Sequence, residues 1–525
     1  MNSEVLFDCI TALPDGMVEA AEAHVFRRKK EWKPWAAAAA VTVIVGLGLM
    51  LHSGALRGMG QSAPGVTGSG GGGTDGVSYM HYVGPVLPLT ALDGAEGVMA
   101  ERSVDYDFSP YRPVMHSYEH NGQTYSYDAS RRETIVTDSY VLTNETDADR
   151  TLRLVYGVEG CFNDALERLP EITVDGAKAE TALHPAAYSG AFADATGRHS
   201  ETERLNLEEI RSWDGYAALL GDGRYQESAF AALPTLDLPV TVYRIDGYEL
   251  SETDAPNPSL QISFSLTDDN ALVLTYGSNG GSNDYETGRY SRVVGRVNDP
   301  RTAPMYLIVC GGDLADYKLQ GYRNGGANPG EEIDVGASVT RYETTMDTVL
   351  RMVVDEHFDT DGTSCSRSYL YGPFGEATVA AAATREMLYD AAADLLLRYG
   401  VLSDNPAGRF AFGMLEEVFE AYSMQRILYQ SFSVTIPAHR SVTVTATMRK
   451  EASYDFVGKG QKSDGYDLAT QLGSTLRFTS QRASVSAVDA VEILENNFGF
   501  DPDAGISEVT LDPGTAHYWM QVRKK

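Results

Sequence analysis

The chain runs to 525 residues, with 42 basic against 73 acidic side chains and 43% hydrophobic residues. It is therefore neither disordered nor collagen-like, and it holds enough apolar material for about three folding units. The net charge of −31 repels phosphate backbones, and no basic block lies beyond the first 34 residues, so nucleic acid is excluded as an expected partner.

At the N-terminus, Leu6, Ile10, Leu13, Met17, Ala21 and Val25 recur at three and four, interrupted by Pro14-Asp15-Gly16. This spacing predicts two short amphipathic helices, the second capped by Asp15. Helices so short are marginal alone in water, so the stripe needs a bilayer surface or a cytosolic regulatory partner. Leu6, Ile10, Leu13 and Met17 are the candidate docking residues over segment 1–34; an idle leader is the other reading.

Trp35 to Leu51 is a charge-free run, WAAAAAVTVIVGLGLML, that extends to Leu56. At 1.5 Å per residue it crosses about 30 Å of hydrocarbon, which predicts a single transmembrane helix over 35–56 and makes the lipid bilayer a partner. Arg27, Arg28, Lys29, Lys30 and Lys33 precede it, and only Arg57 follows closely, so the N-terminus is expected in the cytoplasm. A signal peptide cleaved near Ser53-Gly54-Ala55 is the alternative; its n-region would exceed the usual short length, which favours an uncleaved signal anchor. Segment 1–34 carries a net charge of −1, leaving −30 on the remainder. Residues 57–80, rich in Gly and Ser, then read as a flexible linker.

Beyond the linker, period-2 alternation dominates. TIVTDSYVLTN, TLRLVYGV, PVTVYRIDGYEL, SLQISFSL, MYLIVCGG and SVTVTATM are β-branched or aromatic at alternate places and end in turn residues. Such runs predict antiparallel sheets buried on one face. Asp175-Gly176 and Asp246-Gly247 each lie between extended runs and suit tight hairpins. The expected fold is mainly β: an antiparallel β-sandwich-like extracytoplasmic region with inserted helices. A first domain is read over 81–235 and a second over 236–525. Helical spacing appears in Leu205–Leu220, Thr378–Tyr399 and Phe410–Gln425; the last two, joined through Asn405-Pro406 and Gly408, predict a helical hairpin insertion near 378–425.

Chemistry is sparse. His116 and His120 are four apart in HSYEH, but the order is not H-E-x-x-H, and Gly122 with alternating aromatics predicts a strand and turn. Asp501-Pro502-Asp503-Ala504-Gly505 begins like a calcium loop yet lacks its later ligands, so it reads as a turn. Gly280-Gly281 and Gly325-Gly326 have no following helix or Lys-Ser/Thr and do not form a phosphate cradle. Outside the anchor lie Cys161, Cys310 and Cys365, which allow at most one disulfide. No catalytic, metal or cofactor residues are expected. Tyr111, Tyr118, Tyr125 and Tyr127 crowd one short region; such rings can stack on sugars while their phenols stay wet, or can simply cover a sheet edge.

The residues LFDCITALPDGMVEAAEA followed by FRRKKEWKPWAAAAAVTVIVGLGL resemble the N-terminal segments of single-pass, anti-sigma-factor-like membrane proteins of Gram-positive bacteria. The likeness covers about the first 55 residues, and Cys9 and His24 do not form the His-x-x-x-Cys-x-x-Cys set of the zinc-binding type. VTDSYVLTNETDADRTLRLVYG and IPAHRSVTVTATMRKEASYDF look like uncharacterised envelope proteins of the same bacteria. The resemblance implies regulatory signalling through segment 1–34. Together these readings predict a single-pass cell-membrane protein whose acidic outer body binds or senses an envelope glycan or protein without catalysis; an envelope hydrolase is the alternative.

Overall fold

Alternation decides which face of each strand is buried. Along Glu133–Asn144, Val136, Asp138, Tyr140, Leu142 and Asn144 all point inward, because successive side chains leave a strand on opposite sides. A computed structural model describes residues 77–82, 84–120, 123–162, 169–188, 213–232, 236–251, 255–300, 302–325, 331–357, 384–404, 406, 410, 412–422, 424–458 and 461–525. The expected docking segment 1–34 and transmembrane span 35–56 lie outside these residues. Among the described residues no helix is long and apolar enough to cross a membrane. The end of the expected linker is strand, Val77–Tyr82, paired with Tyr454–Gly458.

The chain is mainly β, as its alternation predicts. A seven-stranded sheet runs in the order Glu508–Thr510, Arg477–Ser486, Val98–Asp107, Glu133–Asn144, Ser441–Glu451, Glu171–Val174 and Ala177–Lys178. Two further sheets lie against it. One contains Ala182–Tyr188, Arg426–Ile436, Arg150–Gly160 and Thr90–Asp93; the other includes Gln461–Ala469, His517–Lys524 and Val491–Asn496. Tyr106, Tyr140, Leu154, Phe432, Val444, Tyr466, Leu468 and Met520 close the interior between them. One pairing departs from the antiparallel expectation: Val98–Asp107 and Arg477–Ser486 run parallel.

A second body is built from two sheets. Leu272–Tyr276, Met305–Cys310, Pro239–Leu250 and Val335–Thr345 form one; Gly280–Asp284, Arg289–Gly295, Ser259–Leu266, Leu314–Tyr322 and Glu332–Ile333 form the other. Tyr243, Ile245, Leu307 and Val309 meet Leu260, Ile262, Phe264 and Val294 between them. On the opposite face of the first sheet, Val240, Val242, Ile308 and Cys310 pack on helices Met346–His357 and Arg385–Arg398 and the 3-10 segment Leu415–Tyr422.

Strands from both sides of residue 236 share the first body's sheets: Glu133–Asn144 pairs with Ser441–Glu451, and Arg150–Gly160 with Arg426–Ile436. The second body is thus an insertion, and its two ends are held together because Ala182–Tyr188 pairs with Arg426–Ile436. Of the expected helix Leu205–Leu220, residues 205–212 lie outside the described residues and the remainder is helix Trp213–Gly221, followed by helix Arg224–Phe230. The stretch Phe410–Gln425 contains a 3-10 segment instead of an α-helix, and it packs against Arg385–Arg398. Helix Met346–His357 was not expected, although Met346, Val349, Leu350, Val353 and Val354 are its buried stripe at three and four. Asp175 and Gly176 have φ of 48° and 78° and turn a hairpin. Asp246-Gly247 does not: strand Pro239–Leu250 continues through it, and the positive φ of Gly247 serves a bulge opposite Val335–Thr345.

Candidate functional site

Of the tyrosines singled out by sequence, three come together and one leaves the group. Met115–His120 and Gln123–Asp128 form a two-stranded hairpin that, among the described residues, joins no other sheet. The register sets Tyr118 opposite Tyr125 and His116 opposite Tyr127, so all four rings share one face. Tyr118 and Tyr125 stack with centroids 5.5 Å apart, Tyr127 meets Tyr118 edge-on at 6.2 Å, and His116 lies 6.0 Å from Tyr127. The three tyrosines are 54%, 42% and 52% exposed. On the other face Ser117 and Ser126 share a hydrogen bond of 2.7 Å. A two-stranded ribbon is marginal alone in water, so its base must be held. The Asp128 carboxylate does this: it accepts from the Val114 and Ser130 amides and from Lys524 Nζ. Those donors, Lys524 first, keep it well below the usual carboxylate range.

Tyr111 is fully buried, and its hydroxyl is hydrogen-bonded at 2.7 Å to Asp464 Oδ2 and to Tyr466. It anchors the chain leading into the hairpin and is removed from the candidate binding residues. The reason is positional: it follows strand Val98–Asp107 directly, where the chain still covers the core. His116 and His120 lie on one strand, where four residues separate their backbone positions by about 13 Å. Among the described residues no group of three or more His, Cys, Asp or Glu is placed to hold a metal. Asp501 caps a 3-10 turn, its Oδ1 accepting from the Ala504 amide at 3.1 Å. Cys310 is a buried thiol pushed up to about 12 by burial, Cys161 is also buried, and Cys365 lies outside the described residues.

Sequence patterning did not reveal the polar groups sealed in the first body. Arg102 and Asp138 form a fully buried ion pair joined by the hydroxyls of Tyr140 and Tyr156. Nearby, Tyr216 donates to Glu159, whose carboxyl burial pushes well above its ordinary value, with Lys450 opposing that shift. At the rim, His517 Nε2 meets Asp467 Oδ2 at 3.0 Å and stacks on Trp213 with centroids 3.6 Å apart. An Asp-His pair can act as a base, but among the described residues no hydroxyl or thiol is hydrogen-bonded to His517, so no nucleophile is joined to it. The accessible arrangement best suited to a ligand is the aromatic hairpin. No protein-family model matches the chain, and searches of curated proteins and of solved structures return no match.

Proposed function

We propose that the chain is a cell-envelope binding protein, held in the cell membrane by Trp35–Leu56, whose aromatic hairpin contacts the sugar rings of an envelope glycan. One observation carries this reading: Tyr118, Tyr125, Tyr127 and His116 form a continuous, solvent-facing strip on a hairpin that encloses no core of its own. Exposed rings at this density are unfavourable unless a partner covers them. A strip of rings offers π faces to the C–H faces of successive pyranoses, while the phenols remain free to hydrogen-bond sugar hydroxyls. In the same reading segment 1–34 docks a cytosolic regulatory protein through Leu6, Ile10, Leu13 and Met17, linking occupancy outside to a response inside.

The test is co-sedimentation of the detergent-solubilised full chain with insoluble peptidoglycan. Two anchoring aromatics at about 1 kcal/mol each correspond to about 30-fold in affinity. Tyr118→Ala with Tyr125→Ala is therefore expected to leave the protein in the supernatant at concentrations where the wild type pellets. Equal sedimentation of both proteins removes the hairpin from the binding face, and no sedimentation of the wild type removes peptidoglycan as the ligand.

A further inference from the structure

Arg292 lies on strand Arg289–Gly295, in register with Ile262 and on the same face as Val294, so alternation turns it inward between the two sheets of the inserted body. Its other neighbour across the ladder is Gly281 on the edge strand. A Cβ on Gly281 would stand 2.1 Å from the Ser291 carbonyl oxygen and 2.8 Å from Arg292 Cδ, so the bare backbone there makes room for both the partner strand and the arginine stem. The residue is only 7% exposed. Nη1 donates to the carbonyls of Ser291 at 2.7 Å and Ser282 at 3.3 Å and to Asn283 Oδ1 at 2.9 Å. Nε and Nη2 have no partner among the described residues, and neither is sealed from solvent.

Two other arginines show what that edge ordinarily does. Arg102 grips Asp138 through Nε and Nη2 at 3.0 and 2.8 Å, and Arg341 grips Asp313 through the same atoms at 3.1 and 2.8 Å. Arg292 forms no ion pair among the described residues, in a chain with 73 acidic side chains. Burial pulls its guanidinium down to about 10, Tyr285 and Tyr290 offsetting part of the loss, and it remains charged at neutral pH. An aromatic wall flanks it. Asn283 Nδ2 donates to the Tyr285 hydroxyl at 3.2 Å, Tyr285 is 45% exposed and edge-on to Tyr290, and Tyr290 stacks on Phe264 at 5.6 Å.

We propose that the unpartnered Nε–Nη2 edge of Arg292, whose guanidinium lies 5.9 Å over the Phe264 ring and beside Tyr285, is a binding site for a carboxylate. The two donors match a carboxylate's two oxygens, and the aromatic wall covers the apolar part of whatever bears it. The site stands apart from the aromatic hairpin, which belongs to the other body, and does not depend on the glycan reading.

The experiment is calorimetric titration of the full chain in detergent with D-glucuronate and with N-acetyl-D-alanine. These represent an acidic sugar and a peptide terminus, and D-glucose and N-acetyl-D-alaninamide are their neutral counterparts. At least one carboxylate is expected to bind and to raise the melting temperature while its counterpart does neither, and the tighter of the two identifies the source. Arg292→Lys, which keeps the charge but loses the fork, is expected to weaken binding at least about 10-fold. Asn283→Asp supplies a competing internal carboxylate with little change in shape and is expected to do the same, which keeps the test decisive if Arg292→Lys does not fold. Absence of heat and melting shift with both carboxylates, equal binding of a neutral counterpart, or undiminished binding by a folded variant overturns the proposal.

Discussion

Replacing Arg102 by Met is expected to destabilise the first body by about 3–5 kcal/mol, the usual result of removing one partner from a buried ion pair. Arg102 and Asp138 are both fully buried, and the guanidinium donates to Asp138 Oδ1 at 3.0 Å and Oδ2 at 2.8 Å. It also donates to the Ala469 carbonyl at 2.7 Å and lies over the Tyr140 ring at 5.6 Å. Burial, the largest single influence, lowers its pKa, but Asp138 together with Tyr140 and Tyr156 outweighs it and holds the guanidinium above its ordinary value. Without it the Asp138 carboxylate retains, among the described residues, only the phenols of Tyr140 at 2.7 Å and Tyr156 at 3.0 Å, and a negative charge is left unbalanced in the core. Arg102→Met with Asp138→Asn removes both charges and should recover about 2 kcal/mol relative to the sum of the single changes. Urea unfolding followed by tryptophan fluorescence isolates the effect. Besides Trp32 and Trp35, which lie outside the described residues, the tryptophans are Trp213 and Trp519, both in the first body. A loss below about 1 kcal/mol, or strict additivity in the double change, would refute the argument that an uncompensated charge sets the cost.

Two further outcomes are expected. The buried Glu416 carboxyl, pushed by burial from 4.5 up to about 7, accepts from the Gly277 amide at 2.5 Å. Because the folded state holds this proton more tightly, the stabilisation is complete below about pH 4.5 and is lost as pH rises to about 7, by at most about 3 kcal/mol. Glu416→Gln should therefore flatten the pH dependence of the urea transition seen by circular dichroism but not by tryptophan fluorescence; an unchanged slope contradicts this. Protease added to intact spheroplasts should remove the β-rich body and leave segment 1–34 protected, whereas a fully protected chain would reverse the proposed topology.

Local pattern was enough to read the strands. Alternation in TIVTDSYVLTN and SVTVTATM identifies one buried and one exposed face, because side-chain direction has period 2 whatever the partner strand. The stripe of helix Met346–His357 was equally legible by spacing, but it follows strand Val335–Thr345 without a break, and no Gly or Pro marks the change. Partners were not legible. Backbone hydrogen-bonding groups carry no sequence label, so nothing local joins Thr137 to Thr447, or sets Val98–Asp107 parallel to Arg477–Ser486.

The site divides in the same way. Sequence alone established a crowded tyrosine cluster, an acidic chain and an apolar run at 35–56, since these are properties of composition and spacing. Only tertiary structure separated Tyr111, hydrogen-bonded in the core, from Tyr118, Tyr125 and Tyr127 in the open, because burial depends on what the rest of the chain brings alongside. It alone gave Arg102 a carboxylate and left the Nε–Nη2 edge of Arg292 with none among the described residues. Two arginines on similar strands differ in nothing local that decides this; their charges are balanced or unbalanced by residues far away in the chain, and only the folded packing assigns them.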